Sequence, residues 1–302
     1  MKRLSIQIGS MCCRIGLLLL LGLLPMSAAQ AQAMPLEQLR AKHAELREAL
    51  DKSNFSEPLV LTSSDSGEKV TGEVYAEVRR AYADIAAAFR SANKVCELLM
   101  LHLNVRACTA SSGSAGEALE LSIGPKRAAA PGMIYRMRYA MRIEDDTPQY
   151  QRVLLTAKAG PMATSDYRIV FEAMPLQPQL SLVHFSYAYE YGTLAKMAMS
   201  VYLATAGRAK IGFSVSGRAS DGRPLYVTGE RGALERNVMR YYLALLAFVN
   251  APAGSQRQQT EQRLRSWFQM TERYAAQLHE LDLDEYLDEK HRDFRDRLST
   301  PD

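Results

Sequence analysis

Between Met133 and Ile143 the chain alternates almost without a break. Met133, Tyr135, Met137, Tyr139, Met141 and Ile143 fall on one side, and Arg136, Arg138 and Arg142 on the other. A period of two over that length marks a strand with one buried and one wet face. Asp145-Asp146-Thr147-Pro148 reads as the turn that follows. Before it, Leu119, Leu121 and Ile123 alternate in the same way. After it come strands at 151–158, 166–174 (Tyr167, Ile169 and Phe171 inward) and 181–191 (Val183, Phe185, Tyr187, Tyr189 and Tyr191 inward). Successive strands joined by short turns argue for an antiparallel meander.

The flanking segments are mostly helical. Leu36, Leu39, Leu46 and Leu50 share one face of a helix over 35–52, followed by a polar stretch. Leu59–Leu61 and Val70–Val78 form a hairpin around the turn residues Ser63–Gly67. Tyr82 to Leu101 reads as two helices broken near Ser91-Ala92-Asn93, and Thr109–Gly116 as a Ser/Gly/Ala loop. Residues 193–205 are expected as a helix, with another strand as the alternative, and 210–216 as a last strand. Gly229–Asn250 is a strong amphipathic helix, with Leu234, Val238, Tyr241, Leu245 and Phe248 on one stripe. Its charged residues Glu235, Arg236 and Arg240 are expected mostly on the other side. Residues 251–302 carry 8 basic and 11 acidic residues, and their apolar stripe (Trp267, Met270, Tyr274, Leu278, Leu281) is expected to pack on the main domain.

The first 33 residues read as a secretory signal peptide. Lys2, Arg3 and Arg14 precede an apolar run from Ile15 to Leu24, Pro25 breaks it, and Ala31-Gln32-Ala33 supplies a cleavage site. The run is too short to span a bilayer, and a retained anchor is the alternative. Cys12 and Cys13 precede the run, so they make no lipoprotein site. Removing three positive charges from a formal net charge of +4 leaves +1, and no run of Lys and Arg offers nucleic acid a basic stripe. The mature chain is therefore expected to be periplasmic or secreted, without a transmembrane segment. The composition, 47% hydrophobic and 23% charged, excludes a collagen-like or wholly disordered chain and allows one large or two modest domains. Cys96 and Cys108, a closely spaced pair in an exported chain, are expected as a disulfide, with two unpaired buried thiols as the alternative. His102 alone nearby leaves a zinc site short of ligands.

No familiar catalytic signature is present. Gly207, Gly212, Gly217 and Gly222 match neither a dinucleotide fingerprint nor a phosphate loop, and His279-Glu280 lacks the second His of a zinc-protease helix. No Gly-x-Ser-x-Gly elbow occurs. His102 and Asn104 interrupt an apolar stretch, and His184 and Glu190 sit on the polar alternation of a Tyr-rich strand. Were the chain an enzyme, His102 with Glu190 would be the acid–base pair.

This order of elements over 58–250 resembles the helix-grip fold of the START-like superfamily. Leu101-His102-Leu103-Asn104-Val105 and Gly229-Glu230-Arg231-Gly232-Ala233-Leu234-Glu235-Arg236-Asn237 are similar to exported members of it. The resemblance implies an α+β fold: an antiparallel curved sheet wrapped around a long C-terminal helix. To this the chain adds an N-terminal helix and linker (34–57) and a charged helical extension (251–302). It also implies a cavity lined by Tyr135, Met137, Tyr139, Met141, Phe185, Tyr187, Tyr189, Tyr241 and Leu245. Met adapts to irregular apolar ligands and Tyr offers a ring with a polar tip. The expected role is binding or carrying a hydrophobic, lipid-like molecule, with no cofactor and no metal. The alternatives are a cofactor-free cyclase or hydrolase in the same cavity, or a non-catalytic accessory protein whose extension binds a partner.

Overall fold

The computed structural model describes residues 35–114, 116–127, 133–193, 196–197 and 210–299. The signal segment and most of the helix expected at 193–205 lie outside these residues. Helix α1 (Pro35–Asp51) precedes a hairpin, β1 (Leu59–Asp65) and β2 (Lys69–Val78). Helices α2 (Tyr82–Ala87) and α3 (Ala92–Leu99) follow, separated where Ser91 caps α3 by accepting from the Lys94 N–H. Six strands then run in sequence: β3 (Val105–Gly113), β4 (Gly116–Ile123), β5 (Tyr135–Thr147), β6 (Tyr150–Ala159), β7 (Thr164–Gln177) and β8 (Leu180–Tyr191). A small hairpin, β9 (Val215–Arg218) and β10 (Pro224–Tyr226), leads into the long helix α4 (Gly229–Asn250). The extension is α5 (Gln256–Glu272), α6 (Ala275–Leu278) and α7 (Leu283–Ser299).

The eight strands β1–β8 form one antiparallel sheet in the order β1-β2-β8-β7-β6-β5-β4-β3. The meander β3–β8 returns to pair with β2, so α2 and α3 must carry the chain from one side of the sheet to the other. Helix α4 lies across the concave face. Gly72 of β2 allows its close approach, because a Cβ there would sit 3.0 Å from Val238 and 3.1 Å from Leu234. This is a helix-grip fold, an antiparallel sheet wrapped around a long helix, with β1 at its edge.

One core fills the space between the concave face and α2–α7, and includes Trp267, Leu278, Tyr286 and Leu287 from the extension. A second, smaller core lies on the outer face, where Leu39 of α1 meets Tyr75, Tyr150, Met174 and Leu182. Among the described residues no helix is long and apolar enough to cross a membrane. Cys96 of α3 and Cys108 of β3 form a disulfide 12 residues apart. A loop of about this length contributes roughly 3 kcal/mol by limiting the unfolded chain. Reduction is therefore expected to lower the urea midpoint by a matching amount, and an unchanged midpoint would remove the bond from the stability account.

Several sequence expectations are corrected. The loop expected at 109–116 is mostly strand β3, whose weak alternation hides a pairing made by β4 and the disulfide. Met133 (61% exposed) and Ile143 (40% exposed) lie off the buried stripe of β5. Met133 precedes the strand, and a register shift follows Ile143. Asp145 and Asp146 belong to β5 rather than to the turn. Residues 210–214 are not strand, because the Phe213 and Ser214 N–H groups donate to the Glu235 carboxylate, at 2.6 and 2.9 Å. Glu235, Arg236 and Arg240 are accordingly buried, not solvated. The side of α4 away from the sheet is covered by residues 211–214 and by the extension.

Candidate functional site

The expected lining residues sit together between sheet and helix. Met137, Tyr139 and Met141 of β5, Phe185, Tyr187 and Tyr189 of β8, and Leu245 of α4 are buried in the main core; Tyr135 and Tyr241 are half-buried against it. The open space they leave is small. An enclosed apolar cavity of about 20 Å³ remains, walled by Phe89, Leu98, Phe171, Phe185, Tyr241 and Leu245 among others. That is room for about one water. Only Phe185, Tyr241 and Leu245 of the nine expected residues touch it.

Tyrosine rings crowd together beside it. Tyr167, which packs edge-on against Tyr139 and lies 5.1 Å from Tyr189, joins the set, and Tyr187 meets Tyr241 edge-on at 6.1 Å. Two of the phenols are paired with polar groups at the rim. Tyr167 pairs with Thr164 Oγ1 at 2.6 Å, and Tyr189 donates to Glu230 Oε2 at 2.8 Å. Burial pushes the Tyr139 and Tyr187 phenols well above their ordinary range and Tyr167 up to about 12. All three therefore stay neutral near pH 7 and can orient a polar group by hydrogen bonding.

His102 lies at the far side of Tyr241, 3% exposed, its ring stacked on that phenol at 4.9 Å and near Trp267. Burial and the charges of Arg240 and Lys290 push its pKa well down, so it is neutral. Its Nδ1 accepts the Asn104 N–H at 3.1 Å, which places the proton on Nε2. That N–H is buried without an aligned acceptor among the described residues; the Asn237 side chain lies beside it, out of line. In this state the ring has no free lone pair with which to take a proton. Glu190 is not its partner: it is exposed at the end of β8, on the opposite face from Tyr189.

The partner that the sequence reading missed belongs to His184. On the outer face, under α1, His184 Nδ1 bonds Glu172 Oε2 at 2.6 Å. Glu172 Oε1 accepts from the Tyr150 hydroxyl and from Arg152 at 2.5 Å. Tyr75 stacks on the His184 ring at 4.2 Å, and Glu73 lies 3.4 Å from Nε2. Counting along the hairpin does not give this pair. Gln177 pairs with Leu180 across the Pro178-Gln179 turn, and regular counting from there would set Glu172 opposite Phe185; a register shift between Pro175 and Gln177 brings His184 there instead. Glu172, His184 and Tyr150 are buried, Arg152 and Glu73 keep 22% and 34% of their side-chain surface exposed, and the bonds across the strands suit the network to holding β6, β7 and β8 in register. A wider groove of about 1000 Å³ runs between α3 and the tail helices, walled by Leu101, Arg257, Glu261, Arg263, His291 and Phe294 among others.

No family model and no curated protein matches the chain. Solved structures similar to it include a START superfamily protein from Mycobacterium smegmatis, 13% identical with a TM-score of 0.32, covering 46% of this chain and 94% of that one. Norcoclaurine synthase from Thalictrum flavum, in complex with dopamine and hydroxybenzaldehyde, is 15% identical with a TM-score of 0.33, covering 50% and 88%. A conserved protein of unknown function from Enterococcus faecalis is 9% identical with a TM-score of 0.30, covering 80% and 92%. These likenesses concern the fold alone, and the helix-grip description rests on the strand order and on the helix laid across the concave face.

Proposed function

We propose that the mature chain is an exported, periplasmic or secreted protein that binds a hydrophobic, lipid-like molecule between its sheet and α4, without covalent chemistry. The observation that carries this reading is the enclosed apolar cavity at the centre of that interface, next to a set of neutral, buried phenols. Ligand pockets commonly run to ~300–1000 Å³. Binding must therefore displace side chains, and unbranched Met137 and Met141 are the residues best able to move. The gain is about 25 cal/mol per Å² of apolar ligand surface removed from water. Native mass spectrometry of the chain, purified without detergent from its export compartment, is expected to show a stoichiometric lipid-sized adduct that organic extraction removes. A clean unliganded mass, followed by failure of a lipid panel to bind, would overturn the reading.

A second reading is favoured by the cavity's size. With a volume of about 20 Å³ the interior is nearly filled by its own side chains, as an accessory protein needs it to be. In that reading the groove along α5 and α7 receives a partner. Removing the whole extension is a poor test, because Trp267 and Tyr286 belong to the main core. Surface changes in the groove, such as Arg257→Glu, leave the core intact and would abolish partner binding.

A further inference from the structure

The link between α6 and α7 places one carboxylate among three cations. Glu280 Oε2 accepts from Lys126 and Lys210, the latter at 2.7 Å, and Oε1 accepts from Arg240 at 3.1 Å. Lys210 also reaches Oε1 at 2.7 Å. Arg240 is buried, while Lys126 and Lys210 keep 26% and 23% of their side-chain surface exposed. The recess is thus closed at its base and open at its lysines. Its formal charge is three positive against one negative, and the two ammonium groups crowd each other.

Among the described residues, Lys126 and Lys210 share Glu280 as their ion-pair partner. The lysines come from two long stretches with no Asp or Glu, residues 121–143 and 191–220. Three acids of α7 are engaged elsewhere: Glu289 and Asp293 with Arg106, Arg292 and Lys290, and Glu285 with Arg127. Glu235 is held by Phe213, Ser214 and Ser63. Burial of an uncompensated cation is costly, and Lys126 shows it, being pushed down to about 8 by burial and by Lys210. Glu280, by contrast, is held down at about 2 despite its burial, by its cationic neighbours.

We propose that Lys126, Lys210 and Arg240 form an anion-binding recess in which Glu280 holds the place of a phosphate group supplied by a ligand. A dianionic phosphate brings more charge and more acceptor oxygens than one carboxylate, so it fits three converging donors better. On binding it displaces Glu280 and frees the α6–α7 link. The recess needs nothing from the sheet–helix cavity. Its phosphate can come from a free anion or from a phospholipid headgroup.

The test is calorimetric titration of the full chain at pH 7 and low salt, with inorganic phosphate in one arm and short-chain phosphatidic acid below its micelle concentration in the other. Glu280→Gln removes the competing charge and is expected to tighten binding about tenfold. Lys126→Gln combined with Lys210→Gln is expected to abolish it. Binding in the phosphate arm identifies a free-anion site, and binding in the lipid arm alone a headgroup site. No saturable binding of either probe to the unaltered chain and to Glu280→Gln, or binding indifferent to the lysines, overturns the proposal. Should Glu280→Gln fail to fold by circular dichroism, the unaltered chain and the double lysine variant decide it by themselves. Phosphate binding with no lipid adduct in native mass spectrometry would leave the recess standing and remove the hydrophobic-ligand reading. A lipid adduct indifferent to all three substitutions would do the reverse.

Discussion

Glu172→Gln is expected to cost about 3–5 kcal/mol of stability, because it strips the charge from a buried ion pair and leaves the other partners behind. Glu172 and His184 are both buried, and one carboxylate answers His184, Tyr150 and Arg152 together. The variant keeps its shape but offers a neutral amide to a guanidinium and an imidazolium. The pH dependence carries a separate signature. Burial opposes ionisation of Glu172, but its bonds to His184 and Tyr150 prevail and hold the carboxyl below its ordinary range. Its contribution is therefore present above about 4.5 and lost as pH falls through the depressed folded value. Burial likewise opposes protonation of His184, but Glu172 and Glu73 prevail and raise it. Its contribution is fully present below about 6.5 and lost as pH rises through the raised folded value. The two together give a stability maximum between these limits. Urea midpoints of the unaltered chain across pH 3–9 should trace that maximum. In Glu172→Gln the alkaline decline should shrink, since the imidazole keeps Glu73 but loses the nearer of the two carboxylates that raised it. An alkaline decline unchanged by the substitution would place its origin in other groups.

This network also shows where the sequence was legible and where it was not. The long alternation of β5 and the stripe of α4 each report burial against one neighbouring layer, and one chain segment holds the whole pattern. The fold class follows from them. β3 was illegible because its pairing depends on β4 and on a covalent bond to α3, neither of which its own residues announce. The charged residues of α4 were read as solvated for a related reason. A helix wrapped on two sides presents no wet face, and Glu235, Arg236 and Arg240 find partners only when residues 211–214 and 278–280 arrive. Alternation fixes a face, and Met137, Tyr139, Met141, Phe185, Tyr187 and Tyr189 accordingly all fall in the main core. How much space that face encloses depends on side-chain volumes from several elements at once. No periodicity carries that quantity, so a filled interior and an open one look alike in the sequence.

Phe171→Ala separates those two interiors. Phe171 is fully buried, wholly apolar in its surroundings, stacked on Phe89 with ring centroids 3.5 Å apart, and part of the cavity wall. Removing its ring is expected to cost about 3–5 kcal/mol, the lost transfer energy plus the void left by incomplete relaxation. The space gained would be on the order of 100 Å³, enough to hold a benzene-sized molecule in a dry apolar cavity. Benzene should then raise the variant's melting temperature and leave the unaltered chain unmoved, since a cavity of about 20 Å³ excludes it. A loss below about 1 kcal/mol, with no response to benzene, would mean that the neighbouring helices collapse into the gap. The same variant bears on the proposed carrier role. If lipid binding requires the packed ring to be driven aside, that cost falls on binding in the unaltered chain and on folding in the variant. Phe171→Ala should therefore bind the identified lipid more tightly, although it is the less stable protein. Weaker lipid binding by the variant would instead make Phe171 a direct contact of the bound chain, in an interior that opens elsewhere.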